Sequence, residues 1–275
     1  MIKELRDETG AGFMDVKKAL EEASGNLDAA RTILREKGAV IASKRADREA
    51  NQGIIATAVS SDGTKGTMID LRCETDFVAR NDDFIALAND MIGKAPGASS
   101  VEELLDQASS AAGETIGQAL ERIMGKIGEK IELKRVVQVG DGSGLVDAYL
   151  HHNKKVGVLV HMTGSADSSV LRETAHEVGI QLAAFPAQYL HREDVPQNVI
   201  DSELEIETQR AINEGKPAEQ AAKIAQGRLE KAFYQANVLI EQPYFRDPSI
   251  KIKDLVKKAG EDAKIKQFVR FGVGE

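Results

Sequence analysis

The feature that most constrains the fold is a change of hydrophobic period near residue 75. Apolar and polar side chains alternate from Thr67 to Glu74, with Ile69, Leu71 and Cys73 on one side of the chain. This alternation predicts a half-buried strand whose other side carries Met68, Asp70, Arg72 and Glu74. Beyond it, the apolar residues recur at helical spacing, at Phe84, Leu87, Ala88 and Met91. A strand must therefore end and a helix begin within a few residues, and Asn81 or Asp82 is well placed to cap that helix.

The connecting segment carries an aromatic side chain, Phe77, beside the carboxylate of Asp76. Aromatic residues make up only 4% of the chain, so each one needs an explanation. In a structural interpretation, Phe77 packs on the core and staples the start of the helix. In a functional interpretation, the ring is reachable from outside and contacts a partner. The burial of the ring distinguishes the two.

Two stretches of the chain share one order of elements: strand, strand, helix and, after a helical insertion, a further strand. The first stretch has strands 54–60 and 66–74, helix 82–92 and strand 131–139. The second has strands 145–151 and 156–162, helix 167–183 and strand 267–273. Internal duplication of an α+β unit accounts for this order economically. The turn Ser61-Asp62-Gly63 favours antiparallel pairing of the first two strands.

We therefore predict an α+β fold with three domains, at residues 1–45, 46–139 and 140–275. The first domain consists of three short helices that stop at the glycines Gly10, Gly25 and Gly38, and residues 41–52 form a linker or exposed helix. The second and third domains are related β-β-α-β subdomains with antiparallel sheets.

The insertion in the third domain, residues 196–235, has the pattern of an antiparallel helical hairpin turning at Gly215-Lys216-Pro217. The pattern predicts that Val199, Leu204, Ile206, Ala211 and Ile212 face Ala221, Ile224, Leu229 and Phe233. Acidic residues outnumber basic ones in this hairpin, which makes it an interaction arm, a self-association surface or a packed appendage.

Composition excludes several classes of partner. A net charge of -8 argues against a nucleic acid backbone, and the absence of Trp argues against a base-stacking platform. The sequence contains no run of 18 apolar residues, so no membrane span is predicted. The single cysteine, Cys73, excludes a disulfide framework and is expected in the core. The charged N-terminal segment lacks an apolar signal region, so we expect a cytoplasmic protein.

Catalytic and cofactor motifs are absent from the sequence. Gly93-Lys94 and Gly125-Lys126 lack the spacing and the Ser or Thr of a phosphate-binding loop. His176-Glu177 has no second His at metal-ligand spacing, and His151-His152 would need a distant third ligand. We therefore expect no enzyme activity, no cofactor, no metal and no direct nucleotide binding.

Three motifs in chain order resemble one family. They are Thr75 to Asn81 (TDFVARN), Thr9 to Leu20 (TGAGFMDVKKAL), and Lys126-Ile127-Gly128-Glu129 together with Tyr149 to Val160. They are similar to elongation factor Ts, the bacterial nucleotide exchange factor for the GTPase elongation factor Tu. Gly215-Lys216-Pro217 and the closing Phe268 to Phe271 extend the resemblance to nearly the full chain. Gln181 departs from it, because the family pattern has His before Leu-Ala-Ala.

The resemblance implies a guanine nucleotide exchange factor in translation elongation. In that family the N-terminal, UBA-like domain docks on the nucleotide domain of elongation factor Tu. The implied partner-binding residues are Thr75, Asp76, Phe77 and Val78, which would disturb the Mg²⁺ and phosphate site of the GTPase. The implied secondary contacts are Met14, Lys17, Ile127, Gly128 and His151.

A second class of function competes with this one. The chain could be a structural or ribosome-associated binding module whose acidic hairpin carries the contact. Deleting residues 196–235 discriminates the two, because exchange should largely survive the deletion whereas binding through the hairpin should vanish. Self-association through the hairpin or the second subdomain stays open at the level of the sequence.

Overall fold

The computed structural model describes residues 1–45, 47–111 and 113–275 and has an α+β fold. It begins with three helices, α1 (Ile2–Thr9), α2 (Phe13–Glu22) and α3 (Leu27–Lys44). Gly10 ends α1 in the left-handed conformation, with φ 67°, as its place after Thr9 predicts. Their small shared core consists of Leu5, Val16, Ala19, Leu20, Ala30 and Leu34. The predicted boundary with the next domain falls at residue 46, which lies outside the described residues.

The third helix does not stop at Gly38, and that prediction was wrong. It continues to Lys44. A Cβ atom added at Gly38 would lie 3.9 Å from the carbonyl oxygen of Glu121 in a neighbouring helix, so this turn of α3 packs closely against another element. Tertiary packing of this kind overrides the roughly 1 kcal/mol that Gly costs inside a helix.

Next comes a three-stranded antiparallel sheet in the order β1 (Gln52–Val59), β2 (Gly66–Cys73), β3 (Ile131–Val139). The chain between β2 and β3 contains α4 (Asp76–Ala79), α5 (Asp82–Lys94), α6 (Val101–Asp106) and α7 (Ile116–Ile127). Asn81 caps α5 by accepting a hydrogen bond from the Asp83 N–H. The strands and α5 therefore lie within a few residues of the predicted ranges. The apolar face of α5 and α7 packs on the sheet around Phe84, Leu87, Met91 and Ile123.

A second antiparallel sheet has the order β4 (Leu145–Leu150), β5 (Val156–Thr163), β8 (Lys264–Gly272). Helix α8 (Ser168–Ala184) follows β5 and packs on this sheet. Between α8 and β8 the chain forms α9 (Gln197–Asn213), α10 (Ala218–Arg228), α11 (Tyr234–Asn237), β6 (Pro243–Tyr244), β7 (Asp247–Lys251) and α12 (Ile252–Ala259). The hydrophobic pattern did not predict the β6-β7 ribbon or α12.

The strand β2 is buried on both faces, which corrects the half-buried strand expected from the alternation. All eight of its residues are buried. Met68 packs with Ile55, Val146 and Leu159, because the second sheet covers the face that was expected to meet solvent.

Asp70 and Arg72 are buried on that covered face as an ion cluster. Asp70 accepts hydrogen bonds from Arg72, at 2.8 Å, and from Arg135, at 2.7 Å. Both guanidinium groups also donate to the Gly272 carbonyl at the end of β8. The cluster thus joins the two sheets and satisfies charges that would be costly to bury alone.

The helices α9 and α10 form the antiparallel hairpin that the sequence predicts, with small residues at the contact: Ala211, Ala221 and Ala225 are fully buried. The predicted inward positions of Ile206 and Ile212 are wrong, because these side chains are 57% and 40% exposed. A five-residue π-helix, Leu229–Phe233, shifts the helical phase before α11. Ion pairs of Arg228 with Glu207, at 3.0 Å, and with Glu214, at 2.6 Å, close the hairpin.

The departure at Gln181 has a structural explanation. Its side chain is 1% exposed, donates to the Gln242 side chain at 3.0 Å and accepts the Phe245 N–H at 2.9 Å. Gln242 in turn donates to the carbonyls of Phe185 and Ala236. A pair of buried amides with satisfied hydrogen bonds therefore holds α8 against the segment that leads into β6.

None of the helices in the described part of the chain is long and apolar enough to cross a membrane.

Candidate functional site

The short helix α4 presents Phe77 to the outside. Its side chain is 82% exposed, whereas the next two residues, Val78 and Ala79, are each 7% exposed and pack on the core of the first sheet. Four helical residues cannot form a stable helix alone, so this buried pair anchors α4. The structural interpretation of Phe77 as a staple is therefore wrong, because a staple requires the ring to contact the core.

Thr75 forms the N-cap of this helix. Its hydroxyl accepts the Val78 N–H at 3.4 Å and donates to one carboxylate oxygen of Glu129 at 2.7 Å. The Thr75 N–H donates to the other carboxylate oxygen of Glu129 at 2.9 Å. Glu129 belongs to a motif that the sequence singles out, but no role was predicted for it. Its position directly after a helix-ending glycine was the available signal.

The same two segments are also joined by a carboxylate on the Thr75 side that accepts a backbone N–H from the Glu129 side. Glu74, the residue before Thr75, accepts the Lys130 N–H at 2.6 Å, and Arg48 donates to the same carboxylate at 3.1 Å. The Lys130 N–H contributes most to holding the pKa of Glu74 below its usual value, with Arg48 adding to the effect against a smaller opposing cost of burial. Residues 74–75 and 129–130 are thus joined by contacts in both directions.

The thiol of Cys73 lies beneath this junction and donates to the Thr75 carbonyl at 3.1 Å. Burial raises its pKa to about 12, and the nearby charge of Glu129 adds to the rise. A thiol with this pKa is protonated at neutral pH and is a weak nucleophile. Cys73 is therefore a core residue, as the sequence predicts.

Asp76 lies on the exposed side of α4 and pairs with Arg80 at 2.5 Å. The Asp76 side chain is 42% exposed and that of Arg80 is 77% exposed. An ion pair this open is worth about 0–1 kcal/mol, so either charge is free to exchange its partner for one on another protein.

Ile127 and Gly128 lie beside Thr75, since they immediately precede Glu129. Ile127 is half-buried against the core of the first sheet, and Gly128 ends α7 in the left-handed conformation with φ 90°. Lys126 pairs with Asp83 of α5 at 2.7 Å and covers Gly10 at the end of α1. The structure therefore brings the residues 75–78 and 127–128 together and places the end of α1 next to them.

Met14 and Lys17 lie on α2. Met14 is 58% exposed and Phe13 beside it is 51% exposed, and Lys17 makes a long ion pair with Glu21 at 3.7 Å. Two exposed apolar side chains on one turn of a helix form a small surface suited to contact with a partner.

His151 follows β4 on the second sheet, and the turn after it contacts the first sheet, where the Ile55 N–H donates to the Lys154 carbonyl at 2.7 Å. The Tyr149 hydroxyl and His151 Nδ1 are 2.9 Å apart, and the rings of His151 and His152 are 4.2 Å apart. Tyr149 packs tightly over Gly179 of α8, where an added Cβ would approach the Tyr149 Cβ to 2.9 Å. Within the described residues, no group of three His, Cys, Asp or Glu side chains has the geometry to hold a metal ion.

Comparison with known proteins identifies the family. The family model described as Elongation factor TS matches residues 74–275, starting at the residue before Thr75. The chain is 39% identical over 280 residues to elongation factor Ts of Clostridium botulinum strain Alaska E43, covering 100% of this chain and 92% of the relative.

Two further relatives agree with this match. Elongation factor Ts of Aquifex aeolicus is 38% identical over 99% of this chain and 96% of its own length. Elongation factor Ts of Clostridioides difficile is 40% identical over 100% of this chain and 92% of its own length. The chain belongs to the elongation factor Ts family.

Proposed function

We propose that this chain is a guanine nucleotide exchange factor of translation elongation. It binds elongation factor Tu loaded with GDP and promotes GDP release by disturbing the Mg²⁺ and phosphate site of that GTPase. It is an exchange factor and not an enzyme, and it acts in the cytoplasm, where translation takes place. The observation that supports the proposal most directly is the 82% exposure of Phe77 on a helix that Thr75 holds at its start and that the buried Val78 and Ala79 anchor to the core.

Phe77 acts as a wedge between elements of the GTPase, with Asp76 contacting the partner beside it and Thr75 and Val78 shaping the helix that carries the ring. Displacement of the elements that hold Mg²⁺ exposes the charge of the phosphates and weakens nucleotide binding. Nucleotide binding at nanomolar affinity corresponds to about 12 kcal/mol. Burial of one Phe side chain contributes about 1.5–3 kcal/mol. The wedge alone therefore cannot release GDP.

Wider docking has to contribute the difference, over about 800 Å² or more on each partner. The exposed surface of Phe13 and Met14, with Lys17, supplies one such contact through the N-terminal domain. Ile127, Gly128 and His151 supply the others. Together they must bind the nucleotide-free GTPase more tightly than the loaded one, since otherwise no population shifts.

We propose the same three domains for this activity: residues 1–45 for docking, 46–139 for the wedge, and 140–275 for the remaining contacts. The equal strand order of the two sheets supports an origin by duplication of one β-β-α-β unit. Either the hairpin α9–α10 or the second subdomain is the surface through which the chain could associate with itself.

The test is the rate at which elongation factor Tu releases a fluorescent GDP analogue in the presence of the Phe77→Ala variant. We expect release about tenfold slower than with the unchanged chain, equivalent to about 1.4 kcal/mol in the barrier. The melting temperature should stay unchanged, because the ring contributes little to the core. Phe185→Ala is the matched control, since Phe185 is another exposed ring, at 52%, and lies after α8.

Phe185→Ala should leave GDP release unchanged. An unchanged release rate with Phe77→Ala would show that the ring is no wedge. A lowered melting temperature with that variant would instead support a packing role for the ring.

A further inference from the structure

We propose that Glu129 is a positioning residue for Phe77 and acts through Thr75. This inference rests on the proposed exchange function and extends it to a residue for which no role was predicted. Its carboxylate takes both polar hydrogens of Thr75, from the backbone N–H at 2.9 Å and the hydroxyl at 2.7 Å. Hydrogen bonds to a charged acceptor are about twice as strong as neutral ones.

Both hydrogen bonds act on the residue that starts α4. Thr75 caps the helix by accepting the Val78 N–H, but this bond is long, at 3.4 Å. Within α4, only Val78 and Ala79 are buried. The orientation of Phe77, two residues beyond Thr75, therefore depends on how firmly the N-cap is held.

The segment that carries Glu129 is itself held by contacts on both sides of that residue. It follows the left-handed Gly128 at the end of α7, and its next residue, Lys130, donates its N–H to Glu74 at 2.6 Å. The contacts Glu129 to Thr75 and Glu74 to Lys130 run in opposite directions between the same two segments. Two opposed contacts of this kind resist both sliding and separation of the two segments. The end of α7 therefore fixes the position of the start of α4.

Rigid presentation matters for exchange because an ordered side chain loses less conformational freedom when it binds. Ordering one flexible side chain costs enough to change a binding equilibrium or a barrier by about two- to tenfold. Removal of Glu129 should therefore slow GDP release by about three- to tenfold, without removing any atom from the contact surface around Phe77.

A double-mutant cycle tests this inference. Release of fluorescent GDP from elongation factor Tu is measured with the unchanged full chain, Glu129→Ala, Phe77→Ala and the double variant. We expect Glu129→Ala to slow release in the unchanged background and to have no further effect when Phe77 is already Ala. Non-additivity of this kind is the signature of two residues that act as one unit.

The control is Glu114→Ala. Glu114 lies just before the opposite end of α7 and also accepts two hydrogen bonds, from Arg122 at 2.7 and 3.1 Å. Its removal should cost a comparable amount of stability and leave release unchanged. Glu129→Gln should restore release, because its amide can accept the Thr75 N–H and donate to the Thr75 hydroxyl. If Glu129→Ala fails to fold, Glu129→Asp replaces it, since its carboxylate ends one methylene short.

The mobility of the side chain at position 77 can be measured directly, because the sequence contains no other Trp. Phe77→Trp introduces the only Trp, which can be excited selectively over the four Tyr, and its fluorescence anisotropy should fall when Glu129→Ala is added and stay constant when Glu114→Ala is added. A merely stabilising role for Glu129 would not change the local mobility of residue 77.

The outcomes separate the inference from the function on which it rests. Unchanged release with Phe77→Ala overturns the wedge itself. Slow release with Phe77→Ala but unchanged release with Glu129→Ala overturns the positioning role and leaves the wedge intact. Equal slowing by Glu129→Ala in both Phe77 backgrounds also overturns it, as does an unchanged anisotropy of the Trp at position 77.

Discussion

The two three-stranded sheets have the same frame and differ at one junction. In each, a central antiparallel strand has neighbours on both sides and leads toward a helix that covers the sheet. In each, the pairing register shifts once beside the central strand, between Asp70 and Leu71 in the first sheet and between His161 and Met162 in the second. Even the contact between the sheets is reciprocal, because each central strand has a glycine facing side chains of the other sheet.

The two sheets differ in the connection that follows the central strand. In the first sheet the chain adds α4 and exposes Phe77 before α5 begins. In the second it reaches α8 within four residues, and Gly164 lies so close to Ala263 that an added Cβ would approach the Ala263 Cα to 3.0 Å. The first sheet thus gains the surface helix α4 without a change in its strand order. The exposed Phe77 on that helix is available to a partner while the core stays buried.

The largest expected effect concerns the residue at the register shift. Asp70 is fully buried between two guanidinium groups, whereas His161, at the same position in the second sheet, is 3% exposed and contacts the Ser143 carbonyl at 2.8 Å and the Asp141 carboxylate at 3.7 Å. Asp70→Ala strands two cations and should destabilise the fold by about 3–5 kcal/mol. His161→Ala should cost about 1–3 kcal/mol. Urea unfolding measures both, and equal losses would show that the buried charge is no special feature of the first sheet.

The reciprocal glycines give the next largest effect. A Cβ at Gly66 would lie 2.6 Å from Val146 Cγ1, and one at Gly157 would lie 2.5 Å from Ile55 Cγ2. Gly66→Ala and Gly157→Ala should each destabilise the protein by about 1–3 kcal/mol through overpacking. Gly93→Ala, in α5 with open space around it, should be neutral or stabilising. A loss at only one of the two strand glycines would contradict the reciprocity of the sheet contact.

A smaller effect is expected on the pH dependence of stability, and it comes from Glu241 in the insertion of the second unit. Glu241, 6% exposed near the base of the hairpin, pairs with Lys251 at 2.6 Å and Arg192 at 3.2 Å. Burial raises the pKa of this carboxyl, but the hydrogen bonds from Lys251 and Arg192 outweigh burial and leave it below 4.5. A lowered pKa in the folded state stabilises the fold above the unfolded value, and this contribution is lost as pH falls from about 4.5 through the folded pKa.

Urea midpoints at pH 7 and pH 3.5 measure this loss. Glu241→Gln should be less stable at pH 7 and should lose less on acidification than the unchanged chain. Glu261→Gln is the control, because Glu261 is 84% exposed in a pair with Lys257 at 3.5 Å and should leave the pH dependence as it is. If Glu241→Gln and the unchanged chain lost the same stability between pH 7 and pH 3.5, Glu241 would not be a source of the pH dependence.

The smallest expected effect on exchange is from the hairpin itself. Replacing residues 203–226 with a short Gly-Ser loop removes the outer hairpin and keeps its base, where Val199 packs with Val195, Leu229 and Tyr234. We expect GDP release from elongation factor Tu to stay within about twofold, less than 0.5 kcal/mol in the barrier, because the proposed wedge lies on the other unit. Loss of binding to the partner would instead favour the binding module that acts through its acidic hairpin.

Local pattern predicted much of this molecule. The junction at residue 75, the cap at Asn81, the strand pairs and the hairpin turn at Gly215 follow from period, capping and turn residues, which act over a few positions. Of the site, the pattern located Phe77 but left its burial open. Glu129 was visible only as part of a motif, because its contact with Thr75 joins positions that are 54 residues apart.

The sequence by itself determined the family, the order of the elements and the identity of the residues that α4 displays. Only the tertiary structure decided that β2 is buried on both faces, that Gly38 continues a helix, that Ile206 and Ile212 face outward and that Phe77 is exposed. The physical reason is the range of the interactions. Hydrophobic period reports which side of an element is apolar, whereas burial depends on which other element covers that side.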